Sequence, residues 1–251
     1  MRIALLIPAV DEVATMPRTA RVAREAVDAG IVSSATVLDG GSADATASIA
    51  RDAGIEVLDV SVLLPHLGPV LGKGDSLFRG VHSVDADWYV FLDADIGNLG
   101  LHHIVALADR ATRGDVVFVK GGFVRIDEQG RPREIPGGRI TEEVARPLLA
   151  MVAPVLTGLS QPLSGQVAVR ADVARALEFV TGYGVEIAML LDVWRLHGAV
   201  GLAEADMGEV QNRAKPDGAL DEVRDQVLAA AALRGLGDPA RVHPMVRTRT
   251  P

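Results

Sequence analysis

Short apolar runs alternate with helix-period stretches through the first hundred residues, and no other feature of the chain constrains its fold as strongly. Residues 2–7 read as a strand, followed by a helix to Ala29 that Gly30 stops. Ala35–Leu38 and Ile55–Val60 read as the next two strands, with a helix to Asp52 between them. Gly72-Lys73-Gly74 opens another helix, and Trp88-Tyr89-Val90-Phe91-Leu92 is a fourth strand. Parallel strands need a crossover to join them, so this succession predicts a mostly parallel, Rossmann-like sheet with helices on both faces. After residue 100 the order changes. A helix to Arg113 precedes strand-like runs at 116–120 and 123–126 and a turn at 127–132. Helices are expected over 141–153, 171–178, 184–197 and 219–235, then a loose tail. There is no internal repeat or low-complexity linker, so residues 1–251 read as a single α/β domain with halves at 1–100 and 101–251.

The fourth strand runs into Asp93-Ala94-Asp95. Open α/β sheets bind ligands outside the carboxyl ends of their strands, and strand alternation would send both carboxylates to one side. Two such carboxylates suit a hard cation, Mg²⁺ or Mn²⁺, that keeps part of its shell for a substrate diphosphate. A polar turn is the plainer alternative.

Four further places carry chemistry. Lys73, between glycines at a helix start, puts a cation where backbone can approach an anion, although the longer P-loop glycine pattern is missing. Asp39, at a strand end before Gly40-Gly41, suits a nucleoside hydroxyl or base, or equally a turn. Gly137-Gly138-Arg139 with Thr141 forms a loop entering a helix, a natural anion cradle whose Arg can grip phosphate or carboxylate bidentately. Glu186 follows Gly182-Tyr183-Gly184 at the head of an apolar helix, where a carboxylate also complements the helix dipole. His102 and His103 read as surface residues, and His243 as an outside candidate for a metal ligand.

These motifs fall in a recognisable order. Pro8-Ala9-Val10-Asp11-Glu12, Leu38-Asp39-Gly40-Gly41-Ser42-Ala43-Asp44, Gly72-Lys73-Gly74 and Asp93-Ala94-Asp95 together resemble the nucleotide-sugar half of GT-A glycosyltransferases. Gly137-Gly138-Arg139-Ile140-Thr141-Glu142, Gln161-Pro162-Leu163-Ser164-Gly165 and Gly182-Tyr183-Gly184-Val185-Glu186 narrow the resemblance to the glucosyl-3-phosphoglycerate synthase family, over roughly residues 3–216. That resemblance implies a GT-A fold and a retaining, metal-dependent hexosyltransferase that moves a hexose, glucose above all, from a UDP-sugar to a small anionic hydroxyl acceptor such as 3-phosphoglycerate or a related acid. Pro8, Ala9, Glu12 and Asp39 would then hold uridine, with Lys73 near the nucleotide. Asp93 and Asp95 would serve ribose and metal. Gly138, Arg139 and Thr141 would hold the acceptor's phosphate or carboxylate, and Glu186 would sit beside sugar and acceptor. The sequence departs from the family where a metal-binding His is usual: Asn212 stands there, and Ala214 replaces an acceptor-contacting Asn. The family's tendency to dimerise carries over as an expected homodimer.

Composition narrows the alternatives. A net charge of −8 disfavours nucleic acid and anionic membranes, which attract a basic face. No run approaches the ~18 apolar residues of a membrane span. The absence of cysteine fits a cytoplasmic protein. A sugar-phosphate nucleotidylyltransferase would carry a glycine-rich, Arg-containing loop after the first strand, where this chain has Pro8-Ala9-Val10-Asp11-Glu12. A catalytically divergent nucleotide-sugar binder is the other alternative, motivated by Asn212 alone.

Overall fold

A computed structural model describes residues 1–212, 217–236 and 247–250. Its strands are β1 (Ile3–Ala9), β2 (Ser34–Asp39), β3 (Glu56–Asp59), β4 (Trp88–Phe91), β5 (Phe118–Arg125), β6 (Val167–Arg170), β7 (Phe179–Val180), β8 (Leu202–Val210) and β9 (Thr248–Arg249). The helices are α1 (Met16–Asp28), α2 (Thr46–Asp52), α3 (Lys73–Ser83), α4 (Leu101–Thr112), α5 (Arg146–Val152), α6 (Ala171–Ala176), α7 (Val185–His197) and α8 (Asp217–Ala232).

Seven strands form one sheet in the order β3-β2-β1-β4-β6-β5-β8, while β7 and β9 pair separately. β1, β2, β3 and β4 run parallel. β6 lies antiparallel between β4 and β5, and β8 returns parallel to β5. Alternation along β1 feeds two cores. Ala4 and Leu6 pack with residues of α3, α6 and α7, whereas Ile3, Leu5 and Ile7 pack with residues of α1 and α4. Central strands covered on both faces read as continuous apolar runs, and each fully buried Leu, Ile or Phe contributes roughly 1.5–3 kcal/mol. α1 starts with Pro17 in its first turn and presents Met16, Ala20, Ala23 and Ala26 inward at helical spacing. Gly30, at φ 68°, ends it.

Several expectations need correction. β4 stops at Phe91, so Asp93 and Asp95 lie in the turn after the strand rather than on its pleat. The two runs at 116–120 and 123–126 are one strand with a register shift between Gly122 and Val124. The segment expected to be a loose tail includes β9, which pairs with β7. His103 is fully buried: the Gly100 N–H donates to its Nδ1 at 3.0 Å, and its Nε2 donates to the Glu209 carbonyl at 3.1 Å. His102 is exposed. Ala214 and His243 lie outside the described residues.

Candidate active site

The chain reverses its strand order around β1 and β4, and the crevice at their carboxyl ends opens into a cleft of about 1080 Å³. Pro8, Ala9 and Glu12 enter it from the end of β1 and the loop beyond. That loop is laced to the one after β2. Asp11, at φ 54°, accepts from the Ala43 N–H at 2.7 Å, and the Glu12 N–H donates to Thr46 Oγ1 at 2.8 Å. Asp39 takes part in the same lacing: its Oδ1 accepts from the Ser42 hydroxyl at 2.6 Å and the Ser42 N–H at 3.1 Å. Its neighbour Gly40 lines the cleft, whereas Asp39 does not.

At the floor of the cleft, Lys73 joins residues far apart in sequence. Its Nζ lies 2.6 Å from Glu186 Oε1 and forms an ion pair with Asp93. Burial alone would lower the lysine's pKa, but the two carboxylates outweigh it, so Lys73 is held above its ordinary range and stays charged. Gln166 braces Asp93 twice, accepting from its N–H at 3.1 Å and donating to its Oδ2 at 3.2 Å. The chain passes so close here that a Cβ on Gly165 would collide with both Asp93 and Lys73 Nζ.

Lys120 lies on β5, 1% exposed, with no hydrogen-bond partner for its Nζ among the described residues. Desolvation pushes its pKa down to about 7, with Glu186 and Asp93 opposing that shift and Lys73 adding to it. It belongs to the cluster of charges around the floor although it does not line the cleft.

Asp95 lines the cleft with Asn212, and Ile96 bridges to Asn212 in antiparallel fashion, drawing the end of β8 beside the Asp-x-Asp turn. Asn212 Oδ1 is buried without a hydrogen-bond partner among the described residues. An amide oxygen beside carboxylates is a donor set a hard divalent cation accepts, so these residues fit a metal of the Mg²⁺ or Mn²⁺ type. No group of three His, Cys, Asp or Glu suited to a metal occurs among the described residues, which leaves substrate oxygens and water to complete such a shell.

The segment 125–141 also lines the cleft, carrying Arg125, Arg133 and Arg139 together with Asp127, Glu128 and Glu134. Gly138, Arg139 and Thr141 line it, Thr141 buried and Arg139 exposed. Arg125 and Arg133, to which the sequence reading assigned no role, line it too. Gly138 has φ 81°, a left-handed turn that glycine adopts without strain. Desolvation and the neighbouring Arg133 lower the Arg125 pKa. Arg133 donates to the Asn212 carbonyl at 2.9 Å, placing this segment beside the Asp95 turn. Arg146 instead is structural, donating to the carbonyls of Thr157, Leu159 and Ser160.

Comparison with known proteins matches this geometry to a family. A glucosyl-3-phosphoglycerate synthase of Mycolicibacterium smegmatis is 32% identical over 239 residues, covering 94% of this chain and 78% of that protein. The chain belongs to the glucosyl-3-phosphoglycerate synthase family. A synthase of Petrotoga mobilis is 37% identical over 173 residues, and that match spans 68% of this chain but only 53% of the relative. The synthase of Mycobacterium tuberculosis, solved with Mn²⁺, UDP-glucose and phosphoglyceric acid, superposes with a TM-score of 0.85 at 34% identity, covering 94% of this chain and 81% of that one. The fold is the GT-A fold of those synthases. No family model matches the chain.

Proposed function

We propose that this protein is a metal-dependent, retaining hexosyltransferase that moves glucose from UDP-glucose to 3-phosphoglycerate or a closely related small anionic hydroxy acid. The observation carrying this reading is one cleft lined both by Asp93, Asp95 and Asn212 and by Arg125, Arg133 and Arg139. A nucleoside diphosphate brings its charge to the first set through a cation; a phosphorylated acid brings its own to the second. The mycobacterial relative solved with all three ligands supports the choice of donor and acceptor.

In this reading residues 1–100 hold the donor and 101–251 the acceptor within one domain. Pro8, Ala9 and Glu12 contact the uridine, and Asp39 acts by holding its turn. A bound Mg²⁺ or Mn²⁺, held by Asp95 and Asn212, would neutralise the diphosphate as it leaves. Asp93 and Lys73 fix the donor side, and Glu186, held by Lys73, positions sugar and acceptor hydroxyl. Gly138, Arg139 and Thr141, with Arg125 and Arg133, grip the acceptor's anionic groups. The acceptor oxygen bonds to the anomeric carbon on the face from which UDP departs. The bond from that carbon to the β-phosphate oxygen breaks, and this oxygen takes the electron pair and then the hydroxyl proton. Retention follows from the shared face. Among the described residues no helix is long and apolar enough to cross a membrane; a cytoplasmic homodimer is part of the proposal.

The test is incubation with UDP-glucose, 3-phosphoglycerate and Mn²⁺, following UDP release and reading the product's anomeric configuration by NMR. Asp95→Ala should lower turnover about a hundredfold or more, since metal neutralisation of the leaving group is worth several kcal/mol. Full activity in that variant sinks the site assignment. Pyrophosphate release would favour the nucleotidylyltransferase instead, and UDP binding without any turnover the divergent binder.

A further inference from the structure

Two elements deliver the Lys73–Glu186 pair. Lys73 is the first residue of α3, after a turn containing Gly72, and Glu186 is the second residue of α7, after the Gly182–Gly184 turn. The turns touch: a Cβ on Gly72 would lie 3.2 Å from Gly182 Cα, and one on Gly74 would collide with the Val180 carbonyl. Contact of this kind sets the distance between the two helix starts only if something holds the turns together.

The segment 247–250 does so from outside the cleft. β9 pairs with β7, Phe179 against Arg249 and Val180 against Thr248. The Thr181 N–H donates to the Arg247 carbonyl at 2.9 Å, and the Arg247 N–H donates to Thr181 Oγ1 at 2.8 Å. These bonds tie the segment to the strand immediately before the Glu186 helix. Arg249 then reaches the other element. Its Nε and Nη2 donate to Asp75 Oδ1 and Oδ2 at 2.9 and 3.0 Å, a bidentate fork on a carboxylate with no solvent exposure. Asp75 lies in the first turn of α3, and its Oδ2 accepts from the Leu71 N–H at 2.9 Å, bracing the turn that leads to Lys73. Arg79 also pairs with Asp75, less closely. It stands 3.4–3.5 Å from Asp75 and spends its short bonds, 2.6 and 2.7 Å, on the carbonyls of Leu63 and Gly68. Arg249 is not among the residues lining the cleft.

We propose that Arg249 is a positioning residue of the transfer site, clamping the Lys73 turn against the Glu186 helix through Asp75 while touching no substrate. A buried carboxylate that loses the nearer of its two arginine partners keeps only the 3.4–3.5 Å contacts of Arg79 and the Leu71 N–H, and swinging the first turn of α3 toward water relieves it, carrying Lys73 with it. Because the reaction needs near-contact geometry, a displacement of this kind reaches the chemistry at a distance.

The proposal rests on the glucosyltransferase reading, so its test has one readout that needs no substrate. Hydrogen exchange of the full chain is compared with Arg249→Ala and Arg249→Lys, the second keeping the charge without the fork. Exchange should accelerate at the amides of Leu71–Lys73 and Thr181–Tyr183 while β1 and β2 stay protected. In kinetics with UDP-glucose and 3-phosphoglycerate, kcat should fall about tenfold to a hundredfold, the range expected when a distant change misplaces a reacting group, at temperatures where the variant is folded. Millimolar guanidinium should restore part of that loss in Arg249→Ala, saturably, and leave the parent unaffected. Unchanged exchange at both turns overturns the proposal, as does a kcat loss that tracks only the unfolded fraction without guanidinium rescue. If the parent chain shows no turnover at all, the functional reading fails and exchange alone decides the clamp.

Discussion

Lys120 is charged in the unfolded chain up to its ordinary value of 10.5 and in the folded chain only up to about 7. Between those values the unfolded state binds a proton that the folded state does not, so stability rises with pH across that window. Below it both states are charged, and the full penalty of a buried ammonium with no hydrogen-bond partner among the described residues is present. A fall from 10.5 to about 7, at about 1.36 kcal/mol per pH unit, puts that penalty on the order of 5 kcal/mol. Lys120→Met keeps the length and the apolar stem while removing the charge. Urea unfolding should therefore show the variant more stable than the parent by several kcal/mol near pH 6. The advantage should shrink through pH 8.5 and nearly vanish above about pH 10, as the parent's neutral amine ceases to be penalised. A variant less stable than the parent near pH 6, or an advantage that does not change with pH, would refute the reasoning: it would mean that Glu186 and Asp93 hold the ammonium charged and well compensated. Loss of transfer activity beside a gain in stability would place Lys120 among residues whose burial is retained for function.

Two other predictions follow from the same cleft and its supports. Asn212→Ala should weaken Mn²⁺-dependent UDP binding by at least about tenfold, the effect even of indirect metal partners, and leave metal-free binding unchanged in calorimetry; equal metal dependence in both proteins would remove Asn212 from the cation site. His103 has its pKa lowered chiefly by burial, so the unfolded chain takes up a proton before the folded one as pH falls. Its contribution is present above the unfolded value of 6.5 and is lost as pH drops through the lowered folded value. The melting temperature should therefore fall between about pH 7.5 and 5 less steeply in His103→Gln than in the parent, and parallel slopes would rule the group out.

The parallel half of the sheet was legible because its strands are covered on both faces, which leaves unbroken apolar runs such as Ile3–Ile7 and Trp88–Leu92. The second half was harder to read. β8, Leu202-Ala-Glu-Ala-Asp-Met-Gly-Glu-Val210, alternates with charges because it lies at a sheet edge, and β6 is only four residues long. Neither has a periodicity that stands out from a loop. β9 is shorter still and exists through its pairing with β7, which no local pattern announces.

Residue types in order were enough to assign the α/β class, the GT-A fold and the family, since those depend on local hydrophobic period and on motifs contiguous in the chain. Partnerships belong to the tertiary structure. Lys73 meets Glu186 across 113 positions, Arg249 meets Asp75 across 174, and Gln166 braces Asp93 across 73. A side chain's type can be read at one position, but its charge state and its partner are set by what folding brings within a few ångströms and how much water it excludes. For the same reason Lys120 and Arg125 look like ordinary strand residues in the sequence and become part of the charged site only in the fold.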